Sequence, residues 1–286
     1  HCRRCRRPWA RKRDVDGAAG DGRQQGKLPK QRLRQRISAR ERPGLFRDVN
    51  CPQERLFGRK NPPSFMVDNV YGAGPGGSPH LYDQSPAGQG IRFLLEETGT
   101  PGKFDVPRNS QGVALIGDPR DDENLIICQL QVAFLKFHNA VVDHVKAKFG
   151  LTRPDAVFAE AQRIVRWHYQ WIVVHEFLKK TCGAAIVDDV LANGRKHYKW
   201  NNEPYIPVEF SVAAYRFGHS QIRPSYRANF TGNPGGQPFF GMIFTPTPSN
   251  PLDPDDLSGG CRAARRFVDW PTFFDFGDGQ VRPNKK

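Results

Sequence analysis

The stretch GDPRDDENLIICQLQVAFLKFHNAVVDHV, residues 117–145, decides the fold class of this chain. Its apolar residues recur at steps of three and four positions, which is typical of an amphipathic helix. The pattern predicts a long helix over residues 122–148. Asp121 or Asp122 can cap its first turn, and Gly150 can end it.

Further helices are expected after this one. The predicted ranges are 154–180, about 184–193, and 207 to about 222. Pro154 and Pro207 stand at first-turn positions, where proline is tolerated. The flanking stretches 68–120 and 229–286 are rich in Gly and Pro, which leaves little room for long elements. The sequence therefore predicts a mainly α domain with long ordered loops.

The charge of the chain is concentrated at one end. The net charge of the 286 residues is +14, and residues 1–63 hold 15 Arg and 4 Lys against 4 Asp and 2 Glu, a net +13. This composition predicts a disordered or non-native segment followed by a globular part, residues 64–286. A nucleic-acid-binding arm is the less favoured alternative, since the segment has no recognition motif. Cys2 and Cys5 lack the further ligands that zinc needs.

Composition also limits the class of protein. No window approaches 18 uncharged apolar residues, so the sequence predicts no transmembrane helix. The first 30 residues lack an apolar core, so a secretory signal is not expected in this chain. Six cysteines at this length indicate ordinary core packing and weakly favour reducing conditions. These features suggest a soluble protein and leave its compartment open.

Two groups of polar residues are candidates for chemistry. Arg216, His219 and Arg223 stand at i, i+3 and i+7 of a predicted helix, where an imidazole can bind a metal and arginines suit carboxylates. The alternative is a solvated basic face. Arg120 and Glu123 stand three apart at the entrance of the long helix. Capping with a local ion pair would explain them equally well.

Several segments together resemble one family. Residues 117–145 resemble the helix signature of the animal-type haem peroxidases, the myeloperoxidase and cyclooxygenase superfamily, in its bacterial branch. IPVEFSVAAYRFGHSQIRPSY, residues 206–226, resembles the proximal helix of that family. Further matching segments are residues 68–83, 105–120, 163–178 and 267–279. The resemblance covers about residues 64–280.

The resemblance implies a role for each candidate residue. His219 matches the proximal imidazole that coordinates haem iron, and Arg216 matches the arginine that reaches a haem propionate. Arg120 matches the distal arginine, which stabilises charge as the peroxide O–O bond breaks. Glu123 matches the carboxylate that in some members forms an ester with a haem methyl. The implied cofactor is haem b.

The resemblance also implies the reaction. The family reduces hydrogen peroxide and oxidises halides or small organic donors, which suggests a part in the response to oxidative stress. Fatty-acid oxygenases of the superfamily place a tyrosine three residues before the proximal histidine. Here that position is Arg216, and Tyr215 is one residue further back. This difference favours a peroxidase.

Parts of the family pattern are missing upstream. The distal histidine should precede the VYG segment, but residues 1–118 contain only His1 and His80, in other settings. Met66 stands where the family's calcium loop usually has an acidic residue. Asp68 alone does not make a calcium site, because calcium takes six to eight oxygen ligands. Calcium binding is therefore doubtful.

A late helix that carries the asparagine partner of the proximal histidine is also expected, and the chain stops at Lys286 before it. The sequence is thus interpreted as a central part of a peroxidase domain, incomplete at both ends. An inactive peroxidase-like fragment is the main alternative to an active enzyme. A frame error in the gene near residue 64 would explain the abrupt change in composition.

Overall fold

A computed structural model of the chain describes residues 67–200, 204–243, 250, 252–279 and 282–284. All of them belong to one compact unit, Cys51–Lys286. The basic segment 1–63 and Met66 lie outside the described residues, so the expected disorder, the nucleic-acid arm and the boundary near residue 64 stay predictions.

The described residues are mainly helical, which confirms the predicted fold class. The α-helices are α1 (Asp68–Tyr71), α2 (Gly74–Gly77), α3 (Leu125–Phe149), α4 (Pro154–Ile172), α5 (Leu178–Cys182) and α6 (Ala184–Asn193). Short 3-10 helices are Pro79–Leu81, Pro119–Asp122, Arg216–Gln221, Pro234–Gly236 and Trp270–Thr272, and π-helical turns are Val173–Phe177 and Phe210–Ala214. The strands are β1 (Glu96–Glu97), β2 (Phe104–Asp105), β3 (Ser225–Arg227) and β4 (Phe240–Met242); β1 pairs with β2 and β3 with β4, both antiparallel.

Helix α3 begins slightly later than its sequence pattern predicts. The side chain of Asn124 accepts a hydrogen bond from the backbone N–H of Ile126 at 2.9 Å and so caps the helix. The prediction of Asp121 or Asp122 as the cap is wrong, because both residues belong to the preceding 3-10 turn. Gly150 ends the helix as expected, with a φ of +62° that a residue without Cβ adopts at little cost.

The main core lies where α1 and the loop after it pack against α3 and α4. Fully buried members include Val142 and Val145 from α3 with Val157 and Val165 from α4. The helices therefore present complementary apolar stripes to each other, as their residue spacing predicts.

A second apolar cluster surrounds the pair β3–β4. Its buried members are Leu125, Ala228, Phe239, Ile243, Leu257 and Val268. Leu125 connects this cluster to the first turn of α3, and its backbone N–H donates to the carbonyl of Leu257 at 2.8 Å. The start of α3 is thus held between the two cores.

The expected helix over residues 154–180 is interrupted but continuous in direction. Helix α4 passes into the π-helical turn Val173–Phe177 and then into α5. Trp167 and Trp171, both on α4, are 51% and 47% exposed. Helix α6 has the predicted bounds.

The expected regular helix from Pro207 to about residue 222 is not observed. The segment instead forms the π-helical turn Phe210–Ala214 and the 3-10 turn Arg216–Gln221. Its apolar side chains remain outside both cores; Val212 is 66% and Phe217 65% exposed. Helices in proteins are stabilised mainly by packing of an apolar face, and this face has no packing partner among the described residues.

Helix α3 is also long and apolar enough to cross a membrane by length and composition, with a mean hydropathy of 1.5 over its most apolar window. Half of that window is buried inside this domain, as in the core helix of a soluble protein. The finding is only weak evidence for a span, so the expected absence of a transmembrane helix stays a prediction.

Candidate functional site

Arg120 lies on the 3-10 turn Pro119–Asp122, just before α3. Its guanidinium binds the carboxylate of Asp118 through Nε (2.9 Å to Oδ1) and Nη2 (2.5 Å to Oδ2), and its side chain is 80% exposed. The hydrogen bonds from Arg120 lower the pKa of Asp118 to about 2. The expected local ion pair therefore exists, although with Asp118 rather than with Glu123.

Glu123 follows the turn and is exposed. Its side chain has no hydrogen bond or ion pair with any described residue, whereas its backbone is fixed: Gly259 N–H donates to the Glu123 carbonyl at 3.0 Å. A Cβ on Gly259 would lie only 1.5 Å from the carbonyl oxygen of Asp122, so only glycine allows this close approach. Glu123 is thus a free carboxylate on a rigid backbone.

A buried cluster of three charged residues, Arg108, Asp105 and Asp122, contacts the 3-10 turn Pro119–Asp122. The Arg108 guanidinium makes two hydrogen bonds to Asp122, at 2.7 and 2.8 Å, and a third through Nε to Asp105 at 2.8 Å. The side chains of Arg108, Asp105 and Asp122 are 4%, 4% and 10% exposed. A bidentate pair of this kind fixes geometry as well as charge, so Asp122 holds the turn that carries Arg120.

Asp121 points away from this cluster toward α1. Its carboxylate accepts a hydrogen bond from Nδ2 of Asn69 at 3.2 Å, and the Asn69 carbonyl accepts one from Gln131 at 2.9 Å. Burial raises the pKa of Asp121. The turn is therefore tied both to the Arg108 cluster and to α1.

His219 and Arg216 lie on the 3-10 turn Arg216–Gln221. Residues three apart eclipse each other in this geometry, so the two side chains share one side of the turn. Arg223 lies beyond the end of the turn, contrary to the expected common face. Both His219 and Arg216 are exposed, and neither has a hydrogen bond or ion pair with another described residue.

Tyr169 on α4 is half-buried. The pKa of Tyr169 is raised first by burial, then by the nearby charge of Asp121 and by Tyr215. Arg120 and Glu123 form one candidate pair, and Arg216 and His219 form the other. The described residues show no direct contact between the two pairs.

No group of three or more His, Cys, Asp or Glu side chains within the described ranges could hold a metal ion by itself. Asp68, the expected calcium ligand, is exposed at the start of α1. Calcium binding stays doubtful.

The family model of the animal haem peroxidases matches residues 83–249, more than half of the chain, so the chain belongs to that family. It is 30% identical to dual oxidase of Drosophila melanogaster over 129 residues, 43% of this chain and 8% of that protein. It is 29% identical to thyroid peroxidase of Homo sapiens over 141 residues, 48% of this chain and 14% of that protein.

A solved structure, peroxidase A from Dictyostelium discoideum, aligns with a TM-score of 0.42 and 18% identity over 62% of this chain and 35% of that chain. The chain spans less than a fifth of the length of the curated relatives just named. The expected bacterial branch is not tested by these relatives and stays a prediction.

The chemistry of the donor set fits the haem that the family implies. His219 is an imidazole without a partner among the described residues, and haem iron takes one such axial ligand. Arg216 is a free cation on the same side of its turn, which suits a propionate. The described residues around His219 are exposed and supply no enclosing wall over it.

Sequence reasoning missed the residues that hold the candidate groups in place. Arg108 lies in the loop after β2, and Asn69 lies on the short helix α1. Arg108 binds Asp122, 14 residues away, and Asn69 binds Asp121, 52 residues away, so local spacing could not reveal these two contacts. The available signal was Asp105 three residues before Arg108, since the two side chains form an ion pair.

Proposed function

We propose that this chain acts as a haem-dependent peroxidase, which reduces hydrogen peroxide and oxidises a small organic or halide donor during oxidative stress. One observation carries the proposal beyond family membership. The turn that bears Arg120 and Glu123 is fixed by the buried Arg108–Asp122 pair, and the N–H of Gly259 holds the Glu123 carbonyl at 3.0 Å. Two of the residues that the family resemblance assigns to the haem site would then stand on a rigid support.

In this proposal His219 binds the iron of haem b, and Arg216 binds a propionate. When bound, the haem supplies the redox centre for peroxide reduction. Arg120 contributes a fixed positive charge, because Asp118 holds two of its nitrogens and leaves Nη1 free to bind a polar ligand. Glu123 contributes a carboxylate on a rigid backbone, suited to an ester with the haem edge.

We propose Asp121 as the group beside Arg120 that holds a proton at the site. Asp121 is adjacent to Arg120, and burial raises its pKa, so it holds a proton at higher pH than an ordinary aspartate. General acid–base catalysis contributes about 10²–10⁴-fold to such reactions. The Asp121 carboxyl group, in place of the imidazole of a distal histidine, would recover only part of this rate contribution. We therefore expect weak peroxidase turnover.

An inactive peroxidase-like fragment is the second candidate. The exposure of Phe217 at 65% and of Tyr215 at 67% favours it, since a working haem site excludes water. Both candidates allow haem binding, and only the first predicts turnover with peroxide.

The test is titration of the protein with haemin, followed by its Soret absorption. We expect a shifted Soret band that is lost in His219→Ala and retained in His144→Ala, which removes an exposed histidine of α3. Equal bands in the two variants would refute the ligand assignment. Oxidation of a small phenol by peroxide then separates the candidates, since haem binding without turnover supports the inactive fragment.

A further inference from the structure

A tyrosine and a histidine form a hydrogen-bonded pair in the main core, away from the residues assigned above. The hydroxyl of Tyr71 lies 3.0 Å from Nδ1 of His138. Tyr71 is 1% and His138 0% exposed. Burying two polar groups costs free energy unless they pair, and this pair joins α1 to the middle of α3.

The direction of the hydrogen bond follows from the other side of the imidazole. Nε2 of His138 lies 2.9 Å from the carbonyl oxygen of Ile91, which can only accept. Nε2 therefore carries the hydrogen of the neutral ring, and burial lowers the pKa of His138 to about 4, which keeps the ring neutral near pH 7. Nδ1 consequently accepts the hydrogen of the Tyr71 hydroxyl.

The phenol itself is held in its protonated form. Burial is the main cause that raises the pKa of Tyr71 far above its ordinary range, and Tyr82 adds to it. An oxidised phenol is a strong acid, however, and here a base stands 3.0 Å from its proton. Loss of an electron from Tyr71 can thus be coupled to a short proton transfer within the core.

Aromatic rings surround the pair and exclude water from it. Phe93 lies 5.4 Å from the Tyr71 ring and 4.9 Å from the His138 ring, measured between centroids. Tyr82 stacks on Phe93 at 4.7 Å, and Phe158 contacts the Tyr71 ring edge to face at 5.9 Å. A radical in this place is shielded from solvent and from diffusing reductants.

The pair also has a short connection to the candidate site. Asn69, which donates to Asp121, stands two residues before Tyr71 on the same short helix α1. The path from the turn of Arg120 to the phenol therefore runs through one hydrogen bond and two residues of backbone.

We propose that Tyr71 and His138 form a one-electron relay. An oxidant takes one electron from Tyr71, the O–H bond of its hydroxyl breaks, and the proton moves to Nδ1 of His138. The products are a neutral tyrosyl radical, an imidazolium and the oxidant reduced by one electron. In the working protein the oxidant would be the haem after its oxidation by peroxide, and this part of the proposal rests on the proposed function. The electron and proton transfer within the Tyr71–His138 pair is independent of the proposed function.

The experiment therefore uses the protein without haem and an external one-electron oxidant, photo-oxidised tris(bipyridine)ruthenium(III). Samples frozen after a flash are examined by electron paramagnetic resonance. We expect a long-lived tyrosyl radical in the unchanged protein, lost in Tyr71→Phe and retained in Tyr226→Phe. Tyr226 is a half-buried tyrosine whose hydroxyl accepts a backbone hydrogen bond from Arg223.

A second measurement does not depend on a variant that folds. In protein labelled with ¹⁵N-histidine, the radical should show an exchangeable proton and a coupling to ¹⁵N, since Tyr71 is the described tyrosine whose hydroxyl contacts a histidine nitrogen. A purely structural pair predicts a less stable Tyr71→Phe protein with an unchanged radical signal and no ¹⁵N coupling. That result would overturn the relay while leaving the haemin titration unaffected, and failure of the titration would leave the relay intact.

Discussion

Two helical regions of this molecule have similar sequence patterns and different structures. Helices α3 and α4 carry apolar residues at helical spacing and pack as regular α-helices, with Val142 and Val157 fully buried. Residues 208–221 carry a comparable pattern, yet they form π and 3-10 turns with exposed apolar side chains. The proposed distal residues border the first region, and the proposed proximal residues belong to the second.

The spacing of apolar residues predicts which face of a segment can be buried. Whether the segment forms a regular α-helix depends on a packing partner that covers this face. Helix α3 has partners from α1, α4 and the β3–β4 cluster. The segment around His219 has none among the described residues. We therefore expect substitutions to have large effects in the first region and small effects in the second.

The largest expected effect is at Arg108. In Arg108→Gln the buried carboxylates of Asp105 and Asp122 lose their cation, which costs about 3–5 kcal/mol of unfolding free energy. Urea unfolding measures it. The matched control is Arg120→Gln, because Arg120 binds one aspartate at the surface.

The control should unfold at the urea concentration of the unchanged protein. Equal stability of Arg108→Gln and Arg120→Gln would show that the Arg108 cluster does not stabilise the 3-10 turn Pro119–Asp122.

A smaller effect on the free energy of unfolding is expected when valine is replaced by alanine at position 142, with the same replacement at position 212 as its control. Val142→Ala removes two buried methyl groups from α3 and leaves a cavity, so it should cost about 2–3 kcal/mol. Val212→Ala removes the same groups from a side chain that is 66% exposed and should change stability by less than about 0.5 kcal/mol.

Thermal unfolding followed by circular dichroism compares the two variants. A large loss of stability in Val212→Ala would show that residues 208–221 are packed in solution, and it would remove the contrast between the regions.

The smallest of the expected effects is a change of the free energy of unfolding with pH, which we assign to His138. Its pKa is about 4 in the folded chain because of burial and 6.5 when unfolded, so the unfolded chain binds more protons between these values. Stability should therefore fall by about 2 kcal/mol as the pH is lowered from 8 to 5.

Urea unfolding at a series of pH values checks this, with His138→Gln and His144→Gln compared. The pH dependence should shrink in the first variant and persist in the second, where an exposed histidine is replaced. An undiminished pH dependence in His138→Gln would assign the effect to other groups.

The sequence predicted the elements that local patterns specify. The helical class, the end of α3 at Gly150 and the bounds of α6 were all predicted correctly. The cap at Asn124 and the geometry of residues 208–221 were not, because both depend on contacts with distant residues. The 3-10 turn that displaces the cap is held by Arg108 from another loop.

The candidate site shows the same limit. The resemblance supplied Arg120, Glu123, Arg216 and His219 with their roles, which stay predictions. Spacing could not supply Arg108, because its pairing with Asp122, 14 residues away, arises only in the folded chain.

The most direct test of the account is hydrogen–deuterium exchange with and without haemin. We predict that residues 208–221 exchange rapidly in the protein alone and become protected when haemin binds, whereas α3 and α4 remain protected in both states. In His219→Ala the protection of residues 208–221 should not develop. Unchanged exchange in this segment, or equal protection in His219→Ala, would contradict the claim that His219 binds the haem iron.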